Sequence, residues 1–234
     1  MIRDLAGFAR AAGGTLQGGN AAFGPVASDS RTLEAGALFV ALTGEHFDGH
    51  EFVAQAAARG AAGAVVARPV AAAVAQVVVP DVLGALSRFA NAWRRDFAGT
   101  VVGITGSNGK TTVKEMTGAI LGTFGPCLAT RGNLNNHIGV PLTLARLDAT
   151  HRHAVIEMGA NHLGEIAQLA AICEPDVGLV INAGPAHLEG FGGIEGVARG
   201  KGELFEALGV EDTAVINADD RYAAFWRCLA RAAG

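Results

Sequence analysis

Sulfur, aromatic rings and charge are all scarce in this chain. Its 234 residues include three cysteines, three methionines and one tyrosine, and charged residues make up 17%, against about 25% in ordinary soluble domains. Cys127, Cys173 and Cys228 are odd in number and widely spaced, which excludes a disulfide framework or a zinc site. They read as reduced, buried thiols of a cytoplasmic protein. There is no excess of positive charge. The formal net charge is −4, so nucleic acid and anionic membranes are not expected partners. No apolar run approaches the roughly 18 residues of a membrane span. The start, Met1-Ile2-Arg3-Asp4-Leu5, lacks a basic segment followed by an apolar core, so no secretory signal is expected. Low-complexity runs are missing as well, and half the residues are hydrophobic, enough for a sizeable core.

Glycine, by contrast, is abundant: 33 of 234 residues, about 14%, twice the usual share of about 7%. That suits a fold with many tight turns between strands and helices. The first 13 residues carry Leu5, Phe8, Ala9 and Ala12 on one helical face, and Gly13-Gly14 stops the helix. A polar turn over 26–32, a buried strand over 37–42, a helix over 50–59 and strands over 63–67 and 74–79 follow. They make a small α/β domain over 1–80. Asp81 caps a linking helix, 81–98, with Leu83, Leu86, Phe89, Ala90 and Trp93 on its apolar face. From 99 to 234 the pattern is a run of βα units: strands near 100–105, 126–129, 154–158, 177–182 and 214–217, with helices near 110–123, 141–147, 163–172, 194–208 and 220–232. The fold class is α/β, with a doubly wound, mostly parallel sheet in the second domain. Sites in such sheets lie outside the carboxyl ends of the strands.

One stretch organises that second domain. The apolar strand Thr100–Thr105 ends in Gly106-Ser107-Asn108-Gly109-Lys110-Thr111-Thr112, which opens a helix. A glycine loop at a helix N-terminus turns backbone N–H groups on an anion. Lys110 would reach the outer phosphates of a nucleotide, and the Thr111 hydroxyl would ligate Mg²⁺. The strict phosphate-loop pattern asks for glycine at position 104, where this chain has Ile104. The bland alternative is a glycine turn with a solvated lysine. A signalling GTPase would also need Asn-Lys-x-Asp, and no such string occurs.

Other residues gather at strand ends. Glu157 ends an apolar strand, where a carboxylate needs a cation or a partner. Mg²⁺, shared with Thr111, is one choice, and a salt bridge to an arginine the other. His187 follows the next strand and is either a ligand or an ordinary loop contact. Lys201 makes sense near a metal only beside phosphate or acid, or as a carbamate formed with CO₂; otherwise it is a solvated lysine. Asn133, Asn135, Asn136 and His137 cluster in one loop, for turn geometry or for a polar substrate. In the first domain Ser28, Ser30, Arg31, Gly44, Asp48 and His50 form a second polar patch, for an anionic ligand or for turn capping.

Taken together, the motifs resemble the Mur ligase family, the ATP-dependent amide-forming enzymes of peptidoglycan synthesis, whose phosphate loop commonly lacks the first glycine. The stretches Ser28-Asp29-Ser30-Arg31, Ala41-Leu42-Thr43-Gly44 and Phe47-Asp48-Gly49-His50 resemble the family's UDP-binding N-terminal domain. Gly132 to Leu144 and Glu157-Met158-Gly159-Ala160-Asn161 are similar to the member that adds D-alanyl-D-alanine to UDP-N-acetylmuramoyl-tripeptide, rather than the preceding one that adds the third residue. The resemblance implies ATP and Mg²⁺ as cofactors, Thr111 and Glu157 as ligands of one Mg²⁺, and Glu157 and His187 as ligands of a second. It further implies a carbamylated Lys201 supporting that second ion, and an acyl phosphate intermediate. It implies a monomer when full length. It also implies that the central domain is incomplete here and the C-terminal domain absent, so that the chain alone would have little or no ligase activity; the alternative is a non-catalytic UDP-sugar-peptide-binding fragment.

Overall fold

The structure, a computed structural model, describes residues 3–233. The first two residues of the helix expected over 1–13, and Gly234, lie outside them. The chain divides into two compact units, 1–93 and 94–234.

In the first unit, helix α1 (Leu5–Ala12) starts where the Asp4 carboxylate accepts a hydrogen bond from Gly7 N at 2.6 Å. It ends at Gly13, whose φ of 67° lies in the left-handed region that glycine tolerates. Strands β1 (Thr15–Gln17), β2 (Val26–Ala27), β3 (Leu38–Val40), β4 (Gly63–Val66) and β5 (Gln76–Val78) form a sheet in the order β1-β5-β4-β3-β2. In that sheet β1 runs antiparallel, along β5, and the other pairings are parallel. Phe39 and Ala64 pack with Val53 and Ala56 of helix α2 (Val53–Ala58) in one buried cluster. Two expectations change here. The polar turn over 26–32 begins with β2, a two-residue edge strand. The helix over 50–59 is a 3₁₀ turn, Gly49–Phe52, capped by the Asp48 side chain and continued by α2. Helix α3 (Val82–Arg95) closes the unit.

The second unit is a five-stranded, wholly parallel sheet: β6 (Thr100–Thr105), β7 (Cys127–Ala129), β8 (His153–Glu157), β9 (Val177–Val180) and β10 (Thr213–Ile216), in the order β10-β9-β6-β8-β7. β6 carries the phosphate loop and lies at the centre. Helix α4 (Lys110–Gly122) covers one face, packing Val113 and Leu121 on Val102, Ile104 and Val155. Along the strands side chains alternate between faces, so Gly178 of β9 faces the other way. A Cβ there would meet Leu204, in helix α8 (Ile194–Glu206), and Leu208 at 3.1–3.3 Å. Helices α5 (Gly139–Leu144) and α6 (Glu165–Cys173) lie in sequence between the strands, α6 packing on both α5 and α8. The doubly wound reading therefore holds. A short helix α7 (Leu188–Phe191) that the periodicity did not predict leads into α8, and α9 (Ala223–Ala233) packs Trp226, fully buried, against α8. Phase explains Ile104. It is a fully buried strand residue paired in register with Glu157. A glycine there would leave a hole under α4.

Candidate active site

The carboxyl ends of the central strands converge as the topology requires. Gly106 and Gly109 have φ of 156° and 80°, and α4 begins at Lys110. Lys110 folds back over the loop, donating to the carbonyl oxygens of Gly106 (2.9 Å) and Ser107 (3.2 Å). Burial pulls its pKa down, opposed by the charge of Glu157. Glu157, at the end of β8, is 2% exposed. The Thr111 hydroxyl donates to its Oε2 at 3.2 Å, and Asn135 Nδ2 donates to its Oε1 at 2.8 Å. Its backbone N donates to Thr130 Oγ1 at 2.9 Å.

Among the described residues no arginine takes up that carboxylate. The nearby cation is Lys114, fully buried on α4, 4.0 Å from Glu157 Oε2, paired with Glu115 at 2.8 Å and donating to the Thr130 carbonyl at 2.8 Å. Sequence reasoning passed over Lys114, because a lysine inside a helix ordinarily reaches water. Its place one turn beyond Lys110, on the same side of the helix, was the available signal.

A cavity of about 410 Å³ opens beside these groups, lined by Lys110, Asn133, Asn135, Asn136, Glu165, Gln168 and His187 among others. The asparagine loop thus splits by role. Asn135 holds Glu157, while Asn136 Oδ1 accepts from Ile138 N (3.2 Å) and Gly139 N (2.9 Å) at the start of α5, as turn chemistry predicts. Asn133 lines the cavity. Glu165 and Gln168 of α6 are lining residues that no motif announced. His187 also lines it, from a left-handed conformation (φ 54°) at the start of α7. Lys201 is 2% exposed, donates a long hydrogen bond to the Ala160 carbonyl (3.4 Å) and sits 5.1 Å from the centre of the Phe191 ring. Burial first, and then the charge of Lys110, bring its pKa down to about 8. It is not a solvated lysine.

Among the described residues no three His, Cys, Asp or Glu side chains gather as a metal cage. Mg²⁺ does not need one: it takes one or two carboxylates and fills its octahedron with water and phosphate oxygens. A buried carboxylate bonded to a threonine hydroxyl at the mouth of a phosphate loop fits that demand.

The polar patch of the first unit is a separate cavity of about 460 Å³, lined by Ser28, Asp29, Ser30, Arg31, Phe39, Phe47, Gly49 and Phe52. Arg31 is largely exposed and pairs with Asp29 at 2.7 Å, which holds the Asp29 carboxyl down at about 2. Ser30 is buried and donates to Gln55 at 2.6 Å. Gly44, Asp48 and His50 stand outside this lining. Gly44 makes the tight turn that carries Phe47, whose ring a Cβ at position 44 would strike. The Arg68 guanidinium and His50 hold the Asp48 carboxyl well below its ordinary range. His50 is buried; Ala67 N donates to its Nε2 at 2.8 Å, so its Nδ1 carries the proton and donates to Asp48 at 2.6 Å. Phe47 and Phe52, both exposed in this lining, were not among the candidate residues read from the sequence, although Phe-x-x-x-x-Phe in a glycine-punctuated loop marks them.

Comparison with known proteins identifies the family. The family model described as Mur ligase middle domain matches residues 104–234. The chain belongs to the Mur ligase family. A second family model, Mur ligase family, catalytic domain, matches residues 22–94. UDP-N-acetylmuramoyl-tripeptide–D-alanyl-D-alanine ligase of Escherichia coli (strain K12) is 48% identical over 216 residues, covering 92% of this chain and 48% of its own length. A crystal structure of MurF from Acinetobacter baumannii superposes with a TM-score of 0.93 at 40% identity, over 99% of this chain and 52% of that one. The MurF ligase of Thermotoga maritima, solved in complex with ADP, gives 0.78 at 33% identity, over 89% and 48%. This Mur ligase chain therefore spans about half the length of the relatives it matches. Ile104, at the place of the first loop glycine, is no obstacle to membership.

Proposed function

We propose that the chain carries the nucleotide-binding and UDP-substrate-binding parts of an ATP-dependent ligase that joins D-alanyl-D-alanine to UDP-N-acetylmuramoyl-tripeptide. The observation that carries the reading is the Thr111 hydroxyl bonded to the buried Glu157 carboxylate directly behind Lys110. Relatives named for this reaction, and a neighbour solved with ADP, support it.

In this reading the terminal carboxylate of the tripeptide attacks the γ-phosphorus of ATP and the bond to ADP breaks. The amine of D-alanyl-D-alanine then attacks the acyl carbon, loses its proton, and phosphate leaves. The first step brings two anions together, so the site must hold them in line and offset their repulsion. Lys110 supplies a positive charge held at the loop, and the backbone N–H groups from Gly109 to Thr112 open on the anion side, with Ser107 and Asn108 shaping the turn. Asn133, Asn135 and Asn136 line the cavity in which a carboxylate would be oriented. Thr111 and Glu157 would hold one Mg²⁺, and Glu157, His187 and a carbamylated Lys201 a second; bound Mg²⁺ supplies charge neutralisation at the phosphates. A carbamate forms when a neutral lysine amine attacks CO₂ and sheds a proton. A pKa of about 8 leaves a tenth or so of Lys201 neutral near pH 7.

In the first unit the cavity with Ser28, Ser30 and Arg31 would take the UDP group, with Phe47 and Phe52 beside it, while Gly44, Asp48 and His50 brace that loop. A cytoplasmic location accords with its three unpaired cysteines. No helix among the described residues is long and apolar enough to cross a membrane. The full-length protein would act as a monomer.

Calorimetry tests the reading. Wild type should bind UDP-N-acetylmuramoyl-tripeptide and, in Mg²⁺, ATP. Lys110→Ala should lose ATP alone, and Glu157→Gln should bind ATP without Mg²⁺ dependence. ATP affinity indifferent to both substitutions would sink it.

A further inference from the structure

The phosphate loop is fastened to the end of β9 by a residue that neither motif nor mechanism uses. Asn182 Oδ1 accepts from Ser107 N and from Asn108 N, both at 3.1 Å, and its Nδ2 donates to the Asn108 carbonyl at 3.2 Å. The orientation of this amide is fixed by its partners: two are N–H groups and one is a carbonyl, so the reversed amide would face donor with donor. Ser107 N also donates to the Asn182 carbonyl at 3.1 Å. Two residues on, Gly184 N donates to Ser107 Oγ (2.9 Å), and that hydroxyl donates to the Gly184 carbonyl (3.1 Å). The two segments are in close apposition. A Cβ on Gly106 would stand 3.0 Å from Ile181 Cβ, and one on Gly184 would stand 3.4 Å from Asn108 Nδ2.

We propose that Asn182 is a positioning residue of the nucleotide site, its carboxamide clamping the first half of the short phosphate loop. The inference rests on the nucleotide reading above. In a loop of full length, N–H groups along the whole turn face the phosphates. Here those of Ser107 and Asn108 are spent on Asn182, whose amide oxygen takes the part an anion's oxygen would play. The anion is left to the N–H groups from Gly109 onward and to Lys110. The clamp keeps these preorganised, so nucleotide binding need not order a free loop. Asn182 also opens the segment that carries His187 five residues later, which ties that histidine's backbone to the same loop.

Two variants and two measurements test this. In Asn182→Ala, amide hydrogen exchange should accelerate most at Asn108, which loses its side-chain acceptor, and less at Ser107, which keeps the main-chain carbonyl of residue 182, while α4 and β9 stay protected; ADP affinity in Mg²⁺, read by calorimetry, should weaken about tenfold. Asn182→Asp keeps an acceptor for both N–H groups, so their slow exchange should persist. It covers the case in which the alanine variant fails to fold. Unchanged exchange at both amides in the alanine variant, or ADP bound as tightly as or more tightly than by wild type, would overturn the clamp. So would fast exchange in a folded aspartate variant. If wild type itself binds no ADP at millimolar concentration, the nucleotide reading falls instead, and exchange alone decides whether Asn182 holds the loop.

Discussion

Lys201→Met should make the second unit more stable at pH 7. Lys201 is 2% exposed in the middle of α8, and burial with the neighbouring Lys110 charge brings its pKa from 10.5 to about 8. At pH 7 the folded protein therefore still carries the buried charge. The difference, 10.5 minus about 8, corresponds to about 3 kcal/mol at about 1.4 kcal/mol per pH unit. In exchange the variant gives up the ammonium near the Phe191 ring, about 1 kcal/mol, and a hydrogen bond to Ala160 stretched to 3.4 Å. Methionine is similar in length and apolar, so it refills the space. The net gain is about 2 kcal/mol, a rise in melting temperature of roughly 4–8 °C for a unit of this size. The pH dependence fixes the cause. Between about pH 8 and 10.5 the unfolded chain keeps a proton on this lysine that the folded chain has shed, so wild-type stability rises with pH across that window. The methionine variant lacks that rise. Scanning calorimetry in CO₂-free buffer from pH 6 to 10.5 measures both. A destabilised variant at pH 7, or two parallel pH curves, would refute the reasoning. The stabilised variant should be unable to form the carbamate, so added bicarbonate at pH 8 should shift the melting of wild type only.

Two further substitutions probe the buried side of one cavity and the exposed wall of the other. Lys114→Met leaves the Thr130 carbonyl without its donor and Glu157 without the cation behind it. A loss of about 3 kcal/mol is expected in urea unfolding, and a change under about 0.5 kcal/mol would show that the pair carries no weight. Phe47→Ala removes a ring that is 56% exposed on the cavity wall. Stability should stay within about 0.5 kcal/mol, while affinity for UDP falls about tenfold; UDP binding equal to wild type in titration calorimetry would show that the ring does not meet the base.

The fold was legible where periodicity had length to work with. Leu5, Phe8, Ala9 and Ala12 mark α1, and all four are buried. The β-branched runs mark β6, β8 and β9, because a parallel strand covered on both faces must be apolar throughout. The pattern failed where elements are too short to hold one. β1 is three residues at a sheet edge, Thr-Leu-Gln, with only the leucine half-buried. β2 is two residues whose strand character comes from pairing with Leu38 and Phe39. α7 is a single turn set by His187 and Gly192, both left-handed. Such elements exist because of their neighbours, not because of their own sequence.

The site divides along the same line. Gly106, Gly109, Lys110 and Thr111 could be read because each is required by a backbone angle or by a phosphate. Asp48 and His50 are as chemically suggestive as Glu157. Yet the imidazole's two nitrogens are both spent, on Ala67 N and on Asp48, whereas Glu157 is tied to the cavity lining through Asn135. Asn135 and Asn136 are neighbours of one type; one reaches the carboxylate and the other bonds the backbone N–H groups of Ile138 and Gly139. Lys114, which no motif marked, is buried, pairs with Glu115 at 2.8 Å and stands 4.0 Å from Glu157. In each case residue type fixes what a side chain can do, and only its partners fix what it does. Ile104 makes the point in reverse. Judged as a loop residue it was a defect in a motif, but in the sheet it is a fully buried strand residue paired with Glu157. Asn182, which no motif marked, likewise shows its part only through its partners, the backbone N–H groups of Ser107 and Asn108.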